Sequence, residues 1–396
     1  MTSTAVSEFA SSADVAAAAA IARARRRFGI DTEFISEGRY RPLLCLVQVA
    51  VEDPEAIGGV RTFLIDSFAE VDVTPLARLL ADPEVEVVFH AGRQDVAILR
   101  RAWGVDPVNV FDTQIVAGFA GESAQAGYAN LVQSVLGTRV GKTASYTRWN
   151  ERPLTAEQLR YAAEDVVHLL ALADELRSRL RHSDRLTWAI EECRRLETAT
   201  EERDPDTAWE RLPRTGHLDP RSRAIARRLA AWRERTASEE DRPVGSIIQD
   251  APLVELAKRH PGDLQGLRAI RGLHQSIIKR RGEGLLEAIE LGSGDPPIPR
   301  EDRPPRSDPG DAPLIALAEA LLRARASDAG LAYELIASRA DLERIIGAAR
   351  RGEPEPEVRT LAGWRRELVG GDLEDLLSGR TAVAVGPGGS LELRSA

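Results

Sequence analysis

The stretch Leu43–Val51, reading LLCLVQVAV, is the feature that most constrains the fold of this chain. A near-continuous apolar run of strand length is the pattern of a strand covered on both faces, not of one with a solvated side. Strand signals flank it at Phe28–Glu33 and Arg61–Ile65, with Arg39-Tyr40-Arg41-Pro42 as the turn between the first two strands. A helix at Val73–Ala81, a strand at Glu86–Phe89, a helix beginning near Gln94 and a short strand at Asn109–Phe111 follow. From Thr113 to His182 the pattern is helical, broken by loops near Gly121–Gly127 and Gly137–Arg152. Early strands followed by strands alternating with helices predict a mixed α/β sheet.

The chain has 396 residues, too many for one ordinary core, so two or three domains are expected. Residues 1–14 are small and polar and read as a loose tail. A helix is expected over Asp14–Arg27, its alanine run Ala16–Ala20 leading into Arg23, Arg25, Arg26 and Arg27. Glu201–Pro220, with charges and prolines, reads as a linker, and residues 221–294 show only helical periodicity. Residues 291–311 form the clearest linker. Residues 312–380 are helical again, and the end of the chain, with Gly386, Gly388 and Gly389, reads as a mobile tail.

Hydrophobic residues make up 43% and charged residues 29%, a globular balance. No apolar run approaches bilayer length, so no membrane partner is expected, and no basic segment followed by an apolar core suggests a secretory leader. The only two cysteines, Cys45 and Cys193, make a disulfide framework unexpected and the cytoplasm the default compartment. A net charge of −9 argues against a protein that coats nucleic acid nonspecifically. It does not exclude an enzyme that clusters carboxylates around cations.

Asp31 and Glu33 lie two apart at the end of a strand, and strand side chains alternate, so both project to one side. The strand reads as central, where paired carboxylates need a compensating charge. Asp95 follows the strand Glu86–Phe89 across the turn His90-Ala91-Gly92-Arg93-Gln94, near a helix start, where an acid also serves the free N–H groups. Asp165 lies on a helix one turn beyond Tyr161, on the same face. Each signal is weak alone. Together they suit phosphodiester hydrolysis, which needs an activated water and charge stabilisation on the attacking and leaving oxygens. Two Mg²⁺ or Mn²⁺ ions held by carboxylates from separate elements provide both, and a tyrosine hydroxyl beside them orients the water.

The segments Ile30-Asp31-Thr32-Glu33-Phe34, His90-Ala91-Gly92-Arg93-Gln94-Asp95 and Tyr161-Ala162-Ala163-Glu164-Asp165 resemble the three exonuclease motifs of the DEDD superfamily. The tyrosine four residues before the last aspartate resembles its DEDDy branch, and Trp149 to Asp165 (WNERPLTAEQLRYAAED) is similar to the bacterial ribonuclease D family. The resemblance covers residues 21–200. It implies a ribonuclease H-like sheet, two divalent metal ions on Asp31, Glu33, Asp95 and Asp165, catalysis assisted by Tyr161, and stepwise release of 5′-mononucleotides from a 3′ end.

Among lesser candidates, His90 and Gln94 read either as contacts to the terminal nucleotide or as turn residues. Asp112 reads either as support for the site or as a helix N-cap, and His168 as structural. Gly137 to Thr143 imitates a phosphate-binding loop, but three residues separate its glycines where the motif needs four. A basic loop at the substrate entrance is expected instead, with Lys142 and Arg148 on phosphates.

Arg268, Arg271, Lys279, Arg280 and Arg281 make a locally basic stretch in an acidic chain, either a footprint for a phosphate backbone or a solvated helix face. Arg242-Pro243, Ile247-Ile248-Gln249-Asp250 and Ile270-Arg271-Gly272 resemble a helicase-and-RNase-D C-terminal (HRDC) domain, a helical bundle that often binds nucleic acid. Leu335–Leu342 and Gly363-Trp364-Arg365-Arg366 resemble a second, degenerate copy. The expected fold is thus an α/β, ribonuclease H-like mixed-sheet exonuclease domain (21–200) after a flexible tail (1–20), then two all-α units at 214–294 and 312–382, joined by a linker (295–311) and ending in a tail (383–396). The expected substrate is RNA with a free 3′ end, such as a tRNA precursor, met by a monomer. A 3′→5′ DNA exonuclease acting on single-stranded DNA by the same chemistry, and a non-catalytic RNA-binding module, remain open.

Overall fold

A computed structural model describes residues 8–141, 148–300 and 309–395. The first unit comprises α1 (Ser12–Arg25), β1 (Arg27–Ile35), β2 (Leu43–Glu52), β3 (Val60–Asp66), α2 (Thr74–Leu80), β4 (Glu86–Phe89), α3 (Arg93–Trp103), β5 (Val110–Asp112), α4 (Thr113–Phe119), α5 (Tyr128–Leu136), α6 (Ala156–Val167), α7 (Leu169–His182) and α8 (Leu186–Arg194). The mixed sheet runs β3-β2-β1-β4-β5, antiparallel through the first three strands and parallel from β1 to β4 and β5. The apolar run is β2, next to the centre, and Leu44 to Val51 are buried without exception. A bulge between Glu33 and Phe34 shifts the β1–β2 register, which then continues through Phe34 opposite Leu44 and Ile35 opposite Leu43, a device that re-aims side chains beside functional sites.

The chain N-terminus departs from the expected tail over residues 1–20. A capping box at Ser11 and Asp14 starts α1, and Val15, Ala18, Ala19 and Ala22 are buried in the same cluster as Phe28, Ile30 and Val49. The helix expected from the alanine run thus belongs to the first unit's core, because small alanines let it approach the sheet closely.

The second unit holds α9 (Pro220–Glu239), α10 (Val244–Ile247), α11 (Asp250–Arg259), α12 (Leu264–Arg268) and α13 (Gln275–Gly294). Its core begins inside the expected linker, because the turn at Pro205–Arg211 buries Ala208, and Leu212 and Leu218 join the same cluster. It docks on the turn between β1 and β2. Tyr40 donates its hydroxyl to Glu234 (2.8 Å) and its N–H to Asp241 (3.2 Å), Arg39 pairs with Asp241, and Arg203 lies over the Tyr40 ring.

The third unit, α14 (Ala312–Asp328), α15 (Tyr333–Ile336), α16 (Arg339–Arg351), α17 (Gly363–Arg365) and α18 (Gly371–Leu377), does not close a core of its own. Ile315, Leu322, Ile346 and Trp364 are buried in one cluster with Phe119, Leu172 and Leu176 of the first unit. Trp364 stacks on Trp188 and meets Phe119 edge-on. The fully buried Arg365 pairs with Glu192 of α8 at 2.8 Å. The expected C-terminal tail contains an antiparallel hairpin, β6 (Thr381–Val385) and β7 (Leu391–Ser395), formed because alternating residues around Pro387-Gly388-Gly389 support a turn. Among the described residues no helix is long and apolar enough to cross a membrane.

Candidate active site

Strand β1 presents Asp31 and Glu33 to the face covered by α6, which packs over β1, β2 and β3. A capping box at Thr155 and Gln158 fixes the start of α6, so Tyr161 and Asp165 recur on one side of the helix. The result is a group in which Asp31, Glu33 and Asp165 each offer a carboxylate oxygen within 4.8 Å of the others. Three of the four carboxylates singled out from the sequence, distant along the chain, are thereby brought together.

Like charges so close, and partly withdrawn from water, hold protons. Burial and then Asp95, Asp165 and Glu33 push Asp31 well above the usual carboxylate range. Burial followed by Asp165 and Asp95 pushes Glu33 up to about 9, and burial pushes Asp165 to about 7 against the lowering hydrogen bond from Tyr161. Such a donor set fits a hard divalent cation, which would relieve the repulsion and favour the ionised carboxylates.

Asp95 stands beside this group rather than in it. It lies in the first turn of α3, is 7% exposed, and accepts a hydrogen bond from the Thr32 hydroxyl. Burial raises it to about 6 while Thr32 pulls it down. Gly92 precedes the helix because a Cβ there would lie 2.5 Å from the Phe89 Cβ. Asp112 serves both roles read from the sequence. Its carboxylate caps α4 through Gln114 N–H (2.8 Å) and Ile115 N–H (3.2 Å), and it accepts from Gly92 N–H (2.7 Å) and Ala91 N–H (3.2 Å), holding the turn that carries Asp95.

Tyr161 is half-buried, hydrogen-bonded to Asp165 and tilted against Trp149. Burial and the adjacent carboxylates push its hydroxyl far above the ordinary tyrosine range, so it stays protonated and able to donate. A cleft of about 350 Å³ opens beside it, lined by Tyr128, Asn130, Gly141, Tyr161, Glu164 and Asp165. Sequence reading missed Tyr128, whose hydroxyl accepts from His168 N–H at 3.1 Å and whose ring meets His90 edge-on. Its only signal was an aromatic residue opening a helix after glycine.

The remaining candidates fall in different places. His90 Nδ1 lies 3.0 Å from the Thr113 hydroxyl, and burial lowers its pKa to about 4, so it is a neutral turn residue in this structure. Gln94 is exposed, as is Arg148, which pairs with Glu151 at 3.4 Å. Lys142 lies outside the described residues. Arg268, Arg271, Lys279 and Arg280 are exposed around the α12–α13 turn of the second unit, away from the carboxylates in sequence and fold. The neighbouring Arg281 is instead buried against Glu240 at 2.7 Å.

A protein family described as 3′-5′ exonuclease matches residues 6–181, and the HRDC domain family matches residues 222–289. Ribonuclease D of Gluconacetobacter diazotrophicus is 38% identical over 365 residues, covering 90% of this chain and 88% of that protein. Ribonuclease D of Granulibacter bethesdensis is 39% identical over 384 residues, covering 94% and 93%. The crystal structure of Escherichia coli RNase D, an exoribonuclease involved in structured RNA processing, is similar with a TM-score of 0.80 at 30% identity, covering 93% of this chain and 98% of that one.

Proposed function

The chain belongs to the ribonuclease D family, hydrolases that are 3′→5′ exoribonucleases, and on that premise we propose that Asp31, Glu33, Asp165 and the adjacent Asp95 hold two Mg²⁺ or Mn²⁺ ions and that the enzyme releases 5′-mononucleotides one at a time from the 3′ ends of structured RNAs such as tRNA precursors. The observation that carries the reading is the meeting of Asp31, Glu33 and Asp165 within 4.8 Å, with Asp95 the strongest charged neighbour of Asp31. On this reading Asp31, Glu33, Asp95 and Asp165 would hold the cations.

Cations held there supply charge stabilisation to the attacking and leaving oxygens and make the attacking water more acidic. Tyr161 donates to and orients that water. Water adds to the terminal phosphorus. The bond to the 3′-oxygen of the penultimate nucleotide breaks, and that oxygen leaves protonated. The exposed cations Arg268, Arg271, Lys279 and Arg280 hold the incoming strand by its phosphates, Arg148 meets phosphates at the entrance, and His90 and Gln94 border the terminal nucleotide. Digestion of 3′-labelled RNA and DNA of identical sequence, with Mg²⁺, with Mn²⁺ and with a chelator, tests the reading. Cation-dependent mononucleotide release from RNA is expected. Faster release from DNA would reassign the substrate, and RNA binding without any release would leave only a binding module.

A further inference from the structure

Gln48 lies directly across the β1–β2 ladder from Asp31. Cross-strand partners share a face, their Cβ atoms about 4.5–5.5 Å apart, so Gln48 sits on the face that carries Asp31 and Glu33. It is fully buried within a strand whose other core side chains are apolar. Neither its amide nitrogen nor its amide oxygen has a hydrogen-bond partner. Buried side-chain amides are nearly always paired, and an unpaired one is worse for stability than an apolar side chain of the same shape. The residue is therefore ill-suited to packing and well placed for something else.

Its neighbour supplies the need. Asp31, directly across the ladder, presents carboxylate oxygens that accept hydrogen bonds. An amide both donates and accepts, so its N–H can serve that carboxylate. Thr62, on β3 at the position facing Ala50, is also without a side-chain partner and lies diagonally from Gln48 on the same face. A hydroxyl there is a donor of the kind the amide oxygen lacks.

We propose that Gln48 is a positioning residue for Asp31, its amide N–H donating to the Asp31 carboxylate in the cation-loaded site and fixing that carboxylate's orientation. The proposal rests on the cation-binding reading given above. Partners of metal-binding side chains of this kind change cation affinity by about 10–100-fold when removed.

The test compares the wild type with Gln48→Met, which is nearly isosteric, and Gln48→Leu. Mn²⁺ affinity is measured by calorimetry, together with the melting temperature of the cation-free protein and the KM for RNA at saturating Mn²⁺. The expected result is a cation-free melting temperature unchanged or raised, a Mn²⁺ dissociation constant weakened about 10–100-fold, and an unchanged KM. Wild-type Mn²⁺ affinity in both variants would overturn the proposal alone, as would a lowered cation-free melting temperature with affinity retained. Absence of Mn²⁺ binding by the wild type would overturn the cation reading along with it.

Discussion

The Thr32 hydroxyl donates a hydrogen bond to Asp95, tying the strand that bears Asp31 and Glu33 to the first turn of α3. Thr32→Val keeps the shape and removes the donor. Asp95 then loses the interaction that pulls its pKa down from the raised value set by burial. A hydrogen bond to a charged group contributes about 1.5–3 kcal/mol. The variant should need roughly 10–100-fold more Mg²⁺ for half-maximal RNA hydrolysis, by that energy, with the acid limb of its pH–rate profile moved upward. Thr32→Ser should restore both.

Cation-free stability should fall as pH rises from 6.5 to 9. Glu33 titrates near 9 and Asp165 near 7 in the folded protein, against ordinary values of 4.5 and 3.8. Raised carboxylate pKa values mean that the folded state binds more protons than the unfolded chain, so stability is full below the ordinary values and is lost through the raised ones. His90, lowered to about 4 by burial, acts in the opposite sense, but its contribution is complete above 6.5. Melting curves with and without Mg²⁺ across this range check the sign: the Mg²⁺-induced rise should grow with pH.

Glu192→Gln should strand the buried Arg365 and cost about 3–5 kcal/mol, the penalty of leaving one partner of a buried pair. Because Trp364 and Ile346 share a core with Phe119 and Leu172, the loss should appear as lower global stability of the nuclease domain, not as separate melting of residues 312–377. Denaturant unfolding followed by a probe in each unit distinguishes the two.

The Tyr40 contacts predict a split between long and short substrates. Tyr40→Phe removes the bond to Glu234, and Asp241→Asn weakens the pair with Arg39. Combined, they should free the second unit and raise KM for long RNA, while hydrolysis of a dinucleotide, too short to reach Arg271 and Lys279, stays unchanged. Equal effects on both substrates would contradict this.

How much of this was readable in the sequence depended on range. Asp31 and Glu33 announced themselves by strand periodicity, and Tyr161 with Asp165 by helical spacing, because both signals are local. Thr32 and Gln48 were silent. Their roles arise from β1 lying between β2 and β4, a long-range pairing that puts Gln48 opposite Asp31 and α3 beside Thr32. Asp112 showed two compatible roles and performs both. The helix α1 was legible from its alanine run, but its burial against the sheet was not, because small side chains give a weak apolar pattern yet allow close approach. The third unit read as a separate domain because its helices are periodic, and periodicity does not tell which neighbour an apolar face meets.

The most direct measurement is release of mononucleotides from 3′-labelled RNA by the wild type, Asp31→Asn and Asp165→Asn, each confirmed folded by its circular dichroism spectrum. The account predicts 5′-mononucleotides from the wild type in Mg²⁺ or Mn²⁺, none with a chelator, and none from either variant. Undiminished release by a folded Asp31→Asn or Asp165→Asn protein would contradict it.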